Sequence, residues 1–196
     1  MTIRNGIIEV LSNTWPIITL TCVVLIILRL ISYKNNKNRD ICGDIISLSF
    51  LVYILCLFQM VTLKDVNTID GYNLIPFKEI FRYPFLSREF IRNVIGNILL
   101  FLPFGFYVGY YLKKAKLSLI TIISFVTSLT IELIQTKIGR TFDIDDIILN
   151  IIGGILGFLI YKVYDNLFIN LSEKVKKIIM VLFLLLLGCG IIIIIV

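Results

Sequence analysis

Long apolar runs separated by short polar stretches dominate the chain. A helix rises 1.5 Å per residue, so roughly 20 apolar residues cross a hydrocarbon core of about 30 Å. Six runs approach that length: Trp15–Tyr33, Asp44–Leu63, Asn93–Leu112, Leu117–Gln135, Ile147–Tyr164 and Ile178–Val196. Within lipid each must be helical, because an open strand would leave backbone groups unpaired. The pattern therefore predicts an all-α fold, a polytopic transmembrane helical bundle of about six spans. It divides into residues 1–63 with two spans, residues 64–164 with a long loop and three spans, and residues 165–196 with a cytoplasmic linker and a final span. The run from Trp15 is too long for a signal-peptide core and lacks a small-residue cleavage pattern, so it is expected to be a retained helix.

Composition agrees with the pattern. Hydrophobic residues make up 58% of the chain and charged residues 16%, with a mean hydropathy of +0.97. A water-soluble domain has roughly half and about a quarter. Histidine is absent, which removes the commonest general base and transition-metal ligand. Cys22, Cys42, Cys56 and Cys189 form no C-x-x-C pair, so neither a zinc site nor a disulfide framework is expected.

The net charge of +6 reads as topology rather than nucleic-acid binding, since the basic residues sit in short loops and no nucleic-acid-binding module is present. Ten basic residues (Lys34, Lys37, Arg39, Lys113, Lys114, Lys116, Lys162, Lys174, Lys176 and Lys177) fall on one side. Eight fall on the other, five of them in the loop from Lys64 to Arg92. The short-loop side is expected to be cytoplasmic, with both termini extracellular. The long loop carries Asn73-Leu-Ile-Pro-Phe77 and Tyr83-Pro84, more apolar than a solvated linker, and is expected to fold back onto the membrane surface.

Polar side chains within a span are costly and usually face a protein interior or an aqueous cavity. Here they collect at the outer ends of the third, fourth and fifth runs. Asn93 and Asn97 share a face four residues apart, above Pro103 and a Gly105–Gly109 small-residue pair. Thr121, Ser124, Ser128, Glu132 and Gln135 form one stripe at helical period. Asp143, Asp146, Asn150, Gly153, Gly154 and Gly157 share another face, with Asp145 and Arg140 adjacent. Plain structural roles are available for each: an interhelical hydrogen bond for the asparagines, an ion pair of Glu132 with Arg140 or Arg92, and helix capping by an acid of the Asp143–Asp146 group. Three acids beside an arginine exceed what capping alone requires.

Several of these segments resemble the signature of the VanZ-like family: Asn93-Val-Ile-Gly-Asn-Ile-Leu-Leu-Phe-Leu-Pro-Phe-Gly105, Glu132-Leu-Ile-Gln135, Gly139-Arg-Thr-Phe-Asp-Ile-Asp-Asp146 and Asn150-Ile-Ile-Gly-Gly154. Asn73-Leu-Ile-Pro-Phe77 is also similar. The resemblance covers about Lys64 to Tyr164, half the chain, with four motifs in order. It implies a small multi-pass protein of the bacterial plasma membrane. The founding member's association with resistance to teicoplanin, a lipoglycopeptide that binds peptidoglycan precursors, implies a role at the cell envelope.

Three classes of function stay open at this point. One is a non-enzymatic envelope protein that alters glycopeptide binding or access at the outer leaflet. The second is an intramembrane enzyme acting on a lipid-linked or anionic envelope precursor. Its catalytic candidates are Glu132, Asp143 and Asp146, acting through a general base or a divalent cation such as Mg²⁺. Its binding candidates are Arg88, Arg92, Asn93, Asn97, Gln135, Arg140, Asp145 and Asn150, with arginine forks suited to phosphate. The third is a transporter or lipid-packing scaffold. The expected partners are the bilayer and a lipid-linked cell-wall precursor or a glycopeptide.

Overall fold

A computed structural model describes residues 41–62, 71–137 and 139–195. In chain order these form helix α1 (Ile41–Thr62), strand β1 (Tyr72–Asn73), a 3-10 turn (Ile80–Arg82), α2 (Arg88–Tyr111), α3 (Leu117–Lys137), β2 (Phe142–Asp143), α4 (Ile144–Leu167) and α5 (Glu173–Ile195). The expected first span, Trp15–Tyr33, lies outside the described residues. Among the described residues, α2, α3 and α4 are long and apolar enough to cross a membrane. Three of the six expected spans therefore stand as candidate crossings; α1 and α5 are helical over the described residues of the second and sixth runs.

The chain falls into two compact units, residues 61–169 and residues 1–60 with 170–196. In the second of these, Ser47 and Ser49 of α1 turn their hydroxyls onto the carbonyls of Gly43 and Ile46 at 2.9 and 2.8 Å. This satisfies them within their own helix. In α5, Lys176 and Glu173 pair at 3.5 Å across one turn.

The unit 61–169 is built around the pairing of α2 with α4. Glycine is what lets these helices touch. A Cβ on Gly105 would collide with the Gly154 carbonyl, one on Gly157 with the Leu102 carbonyl, and one on Gly153 with the Ile98 carbonyl. Backbone therefore lies on backbone, the small-residue mode of packing that gains dispersion contact where lipid offers no hydrophobic drive. Aromatic side chains fill the rest of the seam, with Phe106 edge-on to Tyr161 at 5.7 Å between centroids.

Helix α3 has the reverse polarity of a soluble helix. Its buried face is Ile120, Ser124, Ser128, Glu132 and Gln135. Leu119, Ile122, Phe125, Val126 and Leu133 face outward. In water this arrangement would be unstable. In lipid it is the low-energy one, because apolar side chains meet acyl chains while Ser128, Glu132 and Gln135 find partners inside.

Helix α2 begins five residues earlier than the Asn93 expected from the apolar run. Ser87 caps it, its hydroxyl accepting from the Phe90 amide at 3.1 Å. A π-turn follows over Ile91–Ile95, closed by the Gly96 amide on the Ile91 carbonyl. One extra residue in that turn sets the facing of Asn97 relative to the helix start.

Candidate functional site

The start of α2, the end of α3 and the start of α4 lie at one end of the unit, and most of the expected polar residues meet there. Two short devices build this end. The first is a parallel bridge of β1 with β2, pairing Tyr72 with Phe142 and Asn73 with Asp143. The second is the turn after α3. Gly139 there adopts φ 85°, which glycine allows without strain. The Arg140 amide then returns to the Gln135 carbonyl at 3.0 Å.

Glu132 is 1% exposed. One of its oxygens accepts from the Asp143 amide at 3.0 Å. The other accepts from the Gln135 amide at 2.7 Å, in the side-chain orientation that satisfies both neighbours, and the Gln135 oxygen then accepts from Arg140 Nη1 at 2.8 Å. Arg140 thus reaches Glu132 through Gln135. The direct ion pair with Arg140 or Arg92 that the sequence left open is not formed. The linkage runs one way, Arg140 to Gln135 to Glu132, and cross-links α3 to the strand ahead of α4.

Asp143 caps α4. Its carboxylate accepts from the Asp145 amide at 2.9 Å and from Asn73 Nδ2 at 2.8 Å. Burial pushes its pKa above the ordinary carboxylate value, while those two donors pull the other way.

Asp145 is also 1% exposed, and it faces away from the Glu132 cluster. Its carboxylate accepts from the amides of Phe77 at 2.5 Å, Glu79 at 2.7 Å and Ile80 at 3.4 Å. This residue clasps the long loop to the first turn of α4 and caps the 3-10 turn.

Asp146 points back toward α2 and accepts from Asn97 Nδ2 at 2.5 Å; the same amide group also reaches the Asn93 carbonyl at 3.0 Å. Asp146 lies in the field of the like charges Glu132, Asp143 and Asp145 and of the opposite charge Arg140. One turn deeper, Asn150 Nδ2 donates to Ser128 Oγ at 2.9 Å, both buried, which ties α4 to α3 inside the bundle.

The structure thus brings Asn97, Glu132, Gln135, Arg140, Asp143 and Asp146 into one cluster, with Asn150 just below. Arg88 and Arg92 are exposed on the first turns of α2. Among the described residues Arg92 Nε contacts only Asn93 Oδ1, at 3.3 Å. Asn73 belongs to the cluster and was not among the expected site residues. Its signal was the Asn73-Leu-Ile-Pro-Phe77 motif, which periodicity alone places on no element. Among the described residues no three Asp, Glu or Cys side chains are arranged to hold a metal ion. Each carboxylate of the cluster accepts from at least one amide donor.

A family model described as VanZ/LLP1 matches residues 50–169. Protein VanZ of Enterococcus faecium is 32% identical over 149 residues, 74% of this chain and 90% of that protein. No solved structure matches.

Proposed function

The chain belongs to the VanZ/LLP1 family, and from that premise we propose that it works in the bacterial plasma membrane as a non-enzymatic envelope protein. It binds the polar head of an outer-leaflet envelope component and so lowers teicoplanin binding or access. One observation carries this reading. Glu132 accepts amides on both oxygens and Asp143 accepts two on one oxygen, whereas Asp146 accepts only from Asn97 among the described residues. Arg140 stands nearby, its guanidinium engaged among the described residues only by Gln135. Together they offer an acceptor and a fork of donors to one polar ligand. The outward assignment is supported by Lys113, Lys114 and Lys116 in the short connection at the opposite end of the unit.

The test is deletion of the gene, with teicoplanin susceptibility and teicoplanin binding to whole cells as readouts. The strain is then complemented with wild type or Asp146→Asn. Deletion should raise both susceptibility and binding, and the variant should fail to restore either. Unchanged values on deletion would refute the proposal.

The crowding of Asp146, Glu132 and Asp143 beside Arg140 favours a second reading, an intramembrane enzyme acting on a lipid-linked or anionic precursor. Glu132 has both oxygens occupied, so the general base in this version is Asp146, and Glu132 and Gln135 position Arg140. Purified protein incubated with lipid-linked precursors, with and without Mg²⁺, tests it. Turnover by Asp146→Asn at the wild-type rate would end it.

A further inference from the structure

The loop between β1 and α2 exposes large apolar side chains in a way no other connection among the described residues does. Leu74, Ile75, Phe77, Phe81, Phe85 and Leu86 are all more than half exposed, and Phe81 reaches 82%. Contiguous apolar surface of this kind marks an interaction site. We infer that residues 74–86 form an interfacial wedge lying side-on in the leaflet at the polar end of the bundle, with lipid itself as the partner.

The height of the segment argues for lipid over any other occupant. Both its ends and its middle are fastened at the mouths of membrane-crossing helices. Its start is β1, hydrogen-bonded to the strand that leads into α4. Its middle, Phe77 to Ile80, hangs on Asp145 in the first turn of α4. Its end is Ser87, the cap of α2. Phe85 is three residues from Arg88, so it lies within about 10 Å of the α2 terminus. Interfacial segments bury their apolar face about 5–10 Å into the headgroup–acyl boundary, at just that height.

The backbone and the charges fit the same placement. Phe77 and Leu86 hold φ 67° and 62°, a conformation uncommon for bulky residues, at sites where their side chains stand exposed rather than folded under the loop. Lys78, Arg82 and Arg88 are exposed along the same stretch, and residues 71–92 carry four basic against two acidic side chains. Arg82 pairs with Glu79 at 3.0 Å, and side chains such as Lys78 and Arg88 lay their stems on apolar surface and lift their cations to phosphate. The placement is independent of what Asp146 binds.

Tryptophan placed in the loop tests this in the full chain reconstituted in phosphatidylcholine vesicles. The chain holds one Trp, Trp15, so Phe81→Trp and Phe85→Trp are each made in a Trp15→Phe background. Both sites are surface-exposed and tolerate the change sterically. The expected result is blue-shifted emission, more than halved by lipid brominated near the headgroup end of its acyl chains and little affected by aqueous iodide. Strong iodide quenching with no effect of brominated lipid would place the loop in water and overturn the inference. Protection from both quenchers would mean that protein, such as a second copy of the chain, covers the loop, and would overturn it equally.

Discussion

Replacing Asp145 with alanine removes the acceptor for three loop amides at once. Two of those bonds, at 2.5 and 2.7 Å, are short contacts of backbone N–H with a buried carboxylate. The third, at 3.4 Å, is near the limit and contributes little. Hydrogen bonds to charged groups contribute about 1.5–3 kcal/mol each. Taking the lower end for each of the two short bonds gives a loss of about 3 kcal/mol for the pair. At 1.4 kcal/mol per tenfold, this is roughly a hundredfold rise in local opening of the loop. Hydrogen exchange read by mass spectrometry in nanodiscs should show residues 77–80 exchanging faster by about that factor, with the α2–α4 seam unchanged. Asp145→Asn keeps one acceptor oxygen and turns donors toward the other amide, so it should fall between. Alanine and wild type exchanging alike at residues 77–80 would refute the clasp.

Gly105→Ala should lower the thermal unfolding midpoint in detergent by the equivalent of about 1–3 kcal/mol, because its methyl runs into the Gly154 carbonyl. Gly96→Ala, whose methyl meets only the Ile91 carbonyl at an ordinary 3.6 Å, should leave the midpoint unchanged or raise it slightly. Glu132→Gln sets an N–H₂ against a donor wherever it turns, since the linkage from Arg140 runs in one direction. It should cost about 1–3 kcal/mol, and a wild-type midpoint would show the linkage is oriented otherwise. Asp143 has a raised folded-state pKa, so its contribution is fully present below the ordinary carboxylate value and is lost as pH rises through the folded value. Asp143→Asn keeps the cap without the charge. Its midpoint relative to wild type should therefore improve as pH rises from about 4 to neutrality, and a constant difference would contradict the shift.

Helical period carried much of the site. The Ser124–Ser128–Glu132–Gln135 stripe is the buried face of α3, and Asn150, Gly153, Gly154 and Gly157 are buried together on α4. These could be read because burial follows residue spacing directly in a straight helix. Asp145 was harder. It lies one residue out of register with the Asp146 face, so period alone set it beside the cluster without a partner. Its partners are backbone amides of a loop distant in sequence, which have no side-chain signature. The β1–β2 bridge was invisible for a related reason: two residues are too few to show a period. The start of α2 fell five residues ahead of the apolar run because hydropathy marks where a helix enters lipid, whereas the Ser87 cap marks where its backbone begins.

The inverted polarity of α3 bears on how the protein is made. α3 is synthesised before α4, yet both ligands of its Glu132 carboxylate lie at or beyond its C-terminal end. One is Gln135 and the other the Asp143 amide, with Arg140 completing the linkage. Until that stretch has left the ribosome, a carboxylate would face the bilayer on an otherwise greasy helix. Nascent α3 therefore gains its internal partners only when the start of α4 has been made, so that the unit of α2, α3 and α4 is completed as a set rather than helix by helix.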